Sequence, residues 1–316
     1  MAIHTSIIIV TWNQREIVSQ CLASLDKYSN DSTAEVIVVD NASSDGLPEM
    51  VRDRFPTVKL LAQNSNLGFA KGNNVGLENC SGEFVCLVNS DVVVPPNCIE
   101  YLTDYLKQNP GVGMVGPKMV LPDGTVGQSC MGFPSVWNWF CRALALDVIF
   151  ANSRLFGGYL RTDFRYDRTQ DVDVLTGWFW VVRRKALDQV GPLDDRYFFY
   201  GDDIDWSKRF HKAGWKVVFV AEASAIHHCG ASSAKAPLRF HIEKHRANLQ
   251  FCRKFYAWPV HVCFWLALCL QEIVRILGYG AIYVVRKSAR ETAGFKIKRS
   301  AVSLSWLIGL SPKVSA

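Results

Sequence analysis

The fold class the sequence predicts is α/β, with a mostly parallel sheet flanked by helices. Three observations predict it. Short apolar runs recur along the first half of the chain, at residues 6–10, 35–39, 58–61 and 84–88. Most run into polar or acidic residues, and stretches with helical spacing lie between them. Alternation of this kind implies right-handed β-α-β crossovers and a parallel sheet.

The run at 84–91, Phe-Val-Cys-Leu-Val-Asn-Ser-Asp, organises the rest. It is too short for a helix and rich in strand formers, so it reads as a buried strand. Its polar triplet, Asn89-Ser90-Asp91, falls at the strand's C-terminal end, the edge where open α/β sheets bind ligands. An Asp there can hold a divalent cation, and the cation a diphosphate. A simple turn before Pro95-Pro96 explains the triplet equally well.

In order, residues 6–13 form a first strand ending in Thr11-Trp12-Asn13. A helix at 15–25 follows, with Ile17, Cys21, Leu22 and Leu25 on one face. Residues 35–40 form the second strand, with Asp40 at its tip and a turn-rich loop through Asn41 to Gly46. A helix near 47–55 and a strand at 58–61 come next. The loop at 64–76 carries Asn66, Gly68 and Asn74 into a helix. It has neither GxGxxG nor GxxxxGK[ST], which excludes dinucleotide and P-loop readings. Residues 99–107 read as a helix, 112–120 as a strand, and Asp123-Gly124 as a hairpin turn.

Residues 127–171 are rich in aromatics and Arg with weak periodicity. They read as a variable insertion, with an acceptor lid as its candidate role. Thr176-Gly177-Trp178-Phe179-Trp180 places a glycine before bulky rings, which suits either sugar stacking or a core strand. Asp202, Asp203 and Asp205 crowd the start of a helix expected at 203–212, with Asp202 as its cap. Charge complementary to the helix dipole accounts for one acid better than for three. Crowding raises carboxyl pKa values, as a general base requires. After a strand at 217–220, His227-His228 offers an imidazole for a metal, or is an ordinary loop pair.

Composition sets the limits. The 316 residues are 49% hydrophobic and 20% charged, which excludes a disordered chain. No signal peptide is expected, because a strand pattern begins almost at Met1. Ten cysteines without a CxxC pair or finger spacing fit a reducing cytosol. The net charge of +6 is uneven: from Arg239 onward thirteen Lys/Arg face three Asp/Glu. Residues 256–270 lack charged side chains, Gln271-Glu272 and Arg275 interrupt, and 276–285 resume. Neither apolar piece reaches the roughly twenty residues of a bilayer span. With basic flanks, the segment 236–316 reads as a helical, membrane-associating tail on an anionic surface, or as a buried hairpin. No nucleic-acid module is present.

Taken together, these motifs resemble inverting family 2 glycosyltransferases of the GT-A fold, especially the rhamnosyltransferase-like branch of bacterial surface polysaccharide synthesis. The resemblance covers roughly residues 6–233, expected as a catalytic domain within 1–235. It rests on residues 10–13, 39–46, 66–74, 89–91, 176–177, 198–205 and 227–232. It implies that Thr11, Asn13, Asp40 and Asn41 hold base and ribose, with Asn66, Gly68 and Asn74 shaping the pocket and Asn89 beside it. It implies that Asp91, with help from His227, binds Mg²⁺ or Mn²⁺ bridging the diphosphate. Asp203 would be the general base, with Trp178 and Asp202 near the acceptor.

The expected donor is dTDP-rhamnose, with a UDP-hexose as the alternative. The expected acceptor is a polyprenyl-diphosphate-linked glycan at the cytoplasmic face of the membrane. Two departures stand out. The usual Asp-x-Asp begins with Asn89, a weaker ligand than a carboxylate, and the usual Glu-Asp pair reads Asp202-Asp203. Two rival readings remain. A nucleotidyltransferase lacks its Gly-rich basic loop here. A degenerate nucleotide-sugar-binding protein would not need Asp91, Asp203 and His227.

Overall fold

The computed structural model describes residues 3–228 and 237–310, and the calls on Cys229 to Ser233 lie outside them. Two units emerge. Unit 1 draws on Met1–Met131 and Arg165–Ala231, unit 2 on Gly132–Phe164 and Ser232–Ala316. Most of the insertion expected within the catalytic domain therefore groups with the tail.

In chain order the first elements are β1 (Thr5–Thr11), α1 (Arg15–Ser24), α2 (Asp26–Ser29), β2 (Ala34–Asp40), α3 (Leu47–Arg54), β3 (Lys59–Ala62), α4 (Phe69–Glu78), β4 (Phe84–Asn89), β5 (Val92–Val93), α5 (Cys98–Gln108), β6 (Val112–Val120) and β7 (Cys130–Met131). There follow α6 (Val136–Ala143), α7 (Leu146–Ile149), β8 (Gln170–Asp171), β9 (Val174–Leu175), β10 (Phe179–Arg183), α8 (Arg184–Val190), α9 (Asp202–Lys212) and β11 (Lys216–His227). The chain continues through α10 (Pro237–Phe255), α11 (Trp258–Val285) and α12 (Arg290–Leu307).

Unit 1 is built on one sheet of order β3-β2-β1-β4-β10-β6-β11-β5, with β8 also on β11, while β7 and β9 form a separate pair. β3, β2, β1 and β4 are parallel, as the alternation predicts. β10 then enters antiparallel between β4 and β6, so the sheet is mixed. β4 is buried along its apolar length because both its neighbours and both sheet faces are covered. On one face Ile7, Ile9, Val36 and Val38 pack with Leu22, Val51 and Leu102. On the other, α4 lies so close that a Cβ on Gly76 would sit 2.4 Å from Ile8 Cγ2. Only glycine permits that helix-to-strand approach.

β11 outruns the strand expected at 217–220. A register shift between Val220 and Ser224 absorbs the break in apolar pattern, and pairing with β5 carries the strand to His227. Phe179 and Trp180 are core, fully buried. The Trp180 indole donates to Leu175 O at 3.1 Å.

In unit 2, Trp139 packs against Tyr159 and Phe264, with ring centroids 5.5 and 5.7 Å away. Arg142 lies over both Trp139 and Tyr159 and pairs with Asp147 at 3.1 Å. The two apolar pieces expected from 256 to 285 are one 28-residue helix, α11. Gln271 and Glu272 do not break it, because both are buried against neighbouring elements and leave the backbone ladder intact.

Candidate active site

The site is assembled where the parallel strands end. Register aligns Thr11 with Asp40, and Val10 with Asn89, so the polar tips of β1, β2 and β4 share one edge. Asn41 N donates to Thr11 O at 2.9 Å, which locks the first two tips together. Asp40 is buried, and its carboxylate accepts from Ser43 N at 3.2 Å, folding the following loop over the strand end. Asn13, at φ 52°, donates its backbone N–H to Ser43 Oγ at 2.8 Å, and its Oδ1 accepts from Ser44 N at 2.7 Å.

Two buried oxygens at this edge, Thr11 Oγ1 and Asn41 Oδ1, have no hydrogen-bond partner among the described residues. Buried polar atoms are almost always satisfied. Each leaves an open polar position at a strand tip, Thr11 on the face of Ile7 and Ile9 and Asn41 on the face covered by α4.

Gly68 closes the edge. Its N–H reaches Asn66 Oδ1 at 2.9 Å, and its carbonyl accepts from Asn41 Nδ2 at 3.1 Å. Phe69 N donates to Phe198 O, bringing the loop before α9 onto the same edge. Asn74 does something else: both ends of its amide are spent on Leu193, at 2.9 and 3.0 Å. It clamps α4 to the segment preceding α9, and its amide is committed to backbone.

The second cluster lies between β4 and β11. His227 Nε2 is 3.0 Å from Asp91 Oδ1 and 3.4 Å from Asn89 Nδ2. Trp178 stacks on the imidazole, with centroids 5.4 Å apart and planes 19° from parallel. Trp178 is 3% exposed and also meets Phe179 edge-on, with centroids 5.7 Å apart. Asn89 N donates to Trp178 O at 2.9 Å, tying the start of β10 to the end of β4. The Asp91 carboxylate and the His227 imidazole pair a hard oxygen with a borderline nitrogen, a donor set that fits Mn²⁺ better than Mg²⁺.

The acids follow. α9 starts at Asp202, one residue earlier than expected, and Gly201 at φ 80° occupies the cap position that Asp202 was expected to fill. The Asp202 carboxyl lies beside Gly177, where a Cβ would be 3.6 Å from its Oδ2. Burial pushes its pKa well above the usual carboxylate range, and the charges of Asp203 and Asp205 add to this. Asp203 is half-buried, and its Oδ1 accepts from Ile204 N at 2.8 Å. Asp205 is fully buried and pairs with Arg209 at 2.8 Å, and the same guanidinium holds the carbonyls of Val190 and Pro192. It is an internal tie.

Gln14 was not singled out by sequence, yet its Oε1 accepts from Ser90 Oγ at 2.7 Å between two strand tips. A polar residue just past Thr11-Trp12-Asn13 was the available signal.

The model of "Glycosyl transferase family 2" matches residues 6–191. An N-acetylglucosaminyl-diphospho-decaprenol L-rhamnosyltransferase of Mycobacterium tuberculosis is 29% identical over 307 residues, covering 92% of this chain and 96% of that protein. The O-antigen biosynthesis protein RfbC of Myxococcus xanthus is 26% identical over 72% of this chain and 17% of its own. Among solved structures, a mannosyltransferase of Pyrobaculum calidifontis in complex with GDP-Man and Mn²⁺ superposes with a TM-score of 0.58 at 18% identity, covering 97% of this chain and 88% of that one. A fragment of S. aureus TarS in complex with UDP gives 0.53 at 15% identity, covering 96% and 90%. These likenesses fix the fold as GT-A.

Proposed function

The chain belongs to glycosyl transferase family 2, and on that premise we propose that it moves a sugar, with inversion, from a nucleoside diphosphate to a lipid-linked glycan. dTDP-rhamnose is the donor this reading favours, and a polyprenyl-diphosphate-linked glycan the acceptor. The mycobacterial relative matched along nearly its whole length is a rhamnosyltransferase named for a diphospho-decaprenol-linked sugar, which supports a rhamnosyl donor and a polyprenyl-linked acceptor. The observation that carries the reading is the meeting of Asp91 with His227 at the edge that also holds Thr11, Asp40 and Asn41.

In the proposed reaction, Asp203 takes the proton from the acceptor hydroxyl. The freed oxygen attacks the anomeric carbon as the bond to the diphosphate breaks, and the electron pair leaves with the nucleoside diphosphate. A positioned base is typically worth about 10²–10⁴-fold. Asp91 and His227, with Asn89 beside them, would hold a Mg²⁺ or Mn²⁺ ion. When bound, that ion offsets charge building on the departing diphosphate. Trp178 holds the His227 ring in its plane. Burial raises the pKa of Asp202, which separates it electrostatically from Asp203.

The same reading places the protein on the cytoplasmic face of the membrane. α11 is long and apolar enough to cross a bilayer by length and composition. Unit 1 exposes few large apolar side chains, whereas unit 2 exposes many, among them Val148, Ile149, Leu155, Trp258, Leu277 and Val285. With the basic excess from Arg239 onward, this supports docking on an anionic surface. Residues 132–164 then serve the membrane more readily than as an acceptor lid.

The direct test is a thermal-shift panel of dTDP-rhamnose, UDP-hexoses and GDP-mannose with and without Mn²⁺ or Mg²⁺. Metal-dependent stabilisation by dTDP-rhamnose alone is expected. Stabilisation by a UDP-hexose alone would replace the donor.

A further inference from the structure

Unit 2 carries a second convergence of metal-competent side chains. α10 sets His241 and His245 one helical turn apart, on the same face, and α11 supplies Glu272. His241 Nε2 and His245 Nε2 lie 3.3 and 3.0 Å from the same atom, Glu272 Oε1. The three ligand atoms all fall within 4.8 Å of one another. Ligands at zinc's usual bond lengths, arranged tetrahedrally, stand about 3.3 Å apart. Both imidazoles thus stand within coordination reach of the Glu272 carboxylate group, and two imidazoles with one carboxylate form a donor set zinc uses.

The surroundings point the same way. Glu272 is fully buried and His245 nearly so. Arg275 Nη1 binds Glu272 Oε1 at 3.0 Å. The other carboxylate oxygen, Oε2, has no hydrogen-bond partner among the described residues. A buried carboxylate with one oxygen loaded by three groups and the other bare is unbalanced. An ion taking Oε2 would restore the balance, with Arg275 left on Oε1 as an outer partner that fixes the carboxylate plane.

We propose that His241, His245 and Glu272 bind a divalent transition-metal ion, zinc by donor set, which fastens α10 to α11. Three protein ligands leave a fourth position for water, and the role assigned here is to hold the two helices together. In the zinc-hydrolase helix motif a Glu follows the first His as general base, whereas Ile242 stands there, buried. The proposal does not depend on the donor or acceptor of the transferase.

The test uses the full chain, stripped with chelator, reloaded with Zn²⁺ and dialysed. Metal content and melting temperature are compared for the parent, His241→Asn and Asp91→Asn, with Co²⁺ absorption on the parent as an independent reading. One retained zinc per chain is expected in the parent and in Asp91→Asn, with the intense visible bands of tetrahedral cobalt. His241→Asn should bind zinc roughly 100-fold more weakly or worse. Zinc lost from Asp91→Asn but kept by His241→Asn would overturn the proposal. So would a folded parent that retains no zinc and shows no cobalt bands, which also guards against a variant that fails to fold.

Discussion

His227 Nε2 lies 3.0 Å from Asp91 Oδ1, although 136 residues separate them. The contact exists because β11 runs on past its register shift and pairs His227 with Val92, the residue after Asp91. Trp178 then stacks on the ring from the start of β10. Three distant stretches of chain thus fix one imidazole beside one carboxylate.

If this pair holds the catalytic cation, Asp91→Asn should lower kcat/KM about 10²–10³-fold, the several kcal/mol a metal supplies. It should also abolish the metal-dependent part of nucleotide-sugar stabilisation. His227→Asn should cost less, roughly 10–100-fold. Undiminished Mn²⁺-dependent binding in Asp91→Asn would place the metal elsewhere.

Asp203→Asn removes the proposed base without changing side-chain size. Its Oδ1 can still accept from Ile204 N, so the start of α9 should hold. Turnover should fall about 10²–10⁴-fold while donor affinity stays within about twofold. Turnover near that of the parent would exclude Asp203 as the base and turn attention to Asp202.

Asp202 gives a pH signature. Burial raises its folded-state pKa above the ordinary carboxylate value, so the folded protein binds a proton that the unfolded chain releases. Stability from this group is therefore complete at low pH and is lost as pH rises from the ordinary value through the raised one. Asp202→Asn removes that loss. Its melting temperature relative to the parent should improve as pH rises from the ordinary carboxylate value through the raised one, and then level off. A difference that does not change with pH would show that Asp202 is not held protonated.

How much of this was legible in the sequence depends on how local the signal was. Residues 84–89 announce a strand because an apolar run that short has few other uses, and their polar tips follow from strand direction. The tail of β11 was hidden, since Glu222 and Ser224 interrupt the apolar pattern where the register shifts. α11 looked broken at Gln271-Glu272, because only the fold reveals that His241 and His245 meet the carboxylate. Asn74 has the composition of a pocket residue, yet its amide is committed to Leu193, 119 positions away. Side-chain commitments across such separations leave no mark on local pattern.

Gly68 tests the link between the nucleotide edge and the acid-bearing loop. It sits at φ 79°, ψ −172°, a conformation essentially reserved for glycine. A Cβ there would meet Phe198 O at 2.8 Å. Gly68→Ala should cost about 1–3 kcal/mol in urea unfolding. It should also weaken donor binding, because Gly68 O holds the Asn41 amide. Donor affinity unchanged in a destabilised variant would separate the loop from the pocket.

The membrane reading is tested most cleanly away from the basic tail. Val148 and Ile149 are 74% and 66% exposed, an unfavourable place for aliphatic side chains unless something apolar receives them. Burying such a side chain is worth about 1.5–3 kcal/mol. Changing both to Asp should therefore weaken flotation with phosphatidylglycerol liposomes by at least about 30-fold. Neither residue is assigned to the catalytic machinery, so donor binding and melting temperature should be unchanged. Loss of flotation alone would make this segment a membrane contact. Flotation equal to the parent's would confine attachment to the tail and return residues 132–164 to some other use.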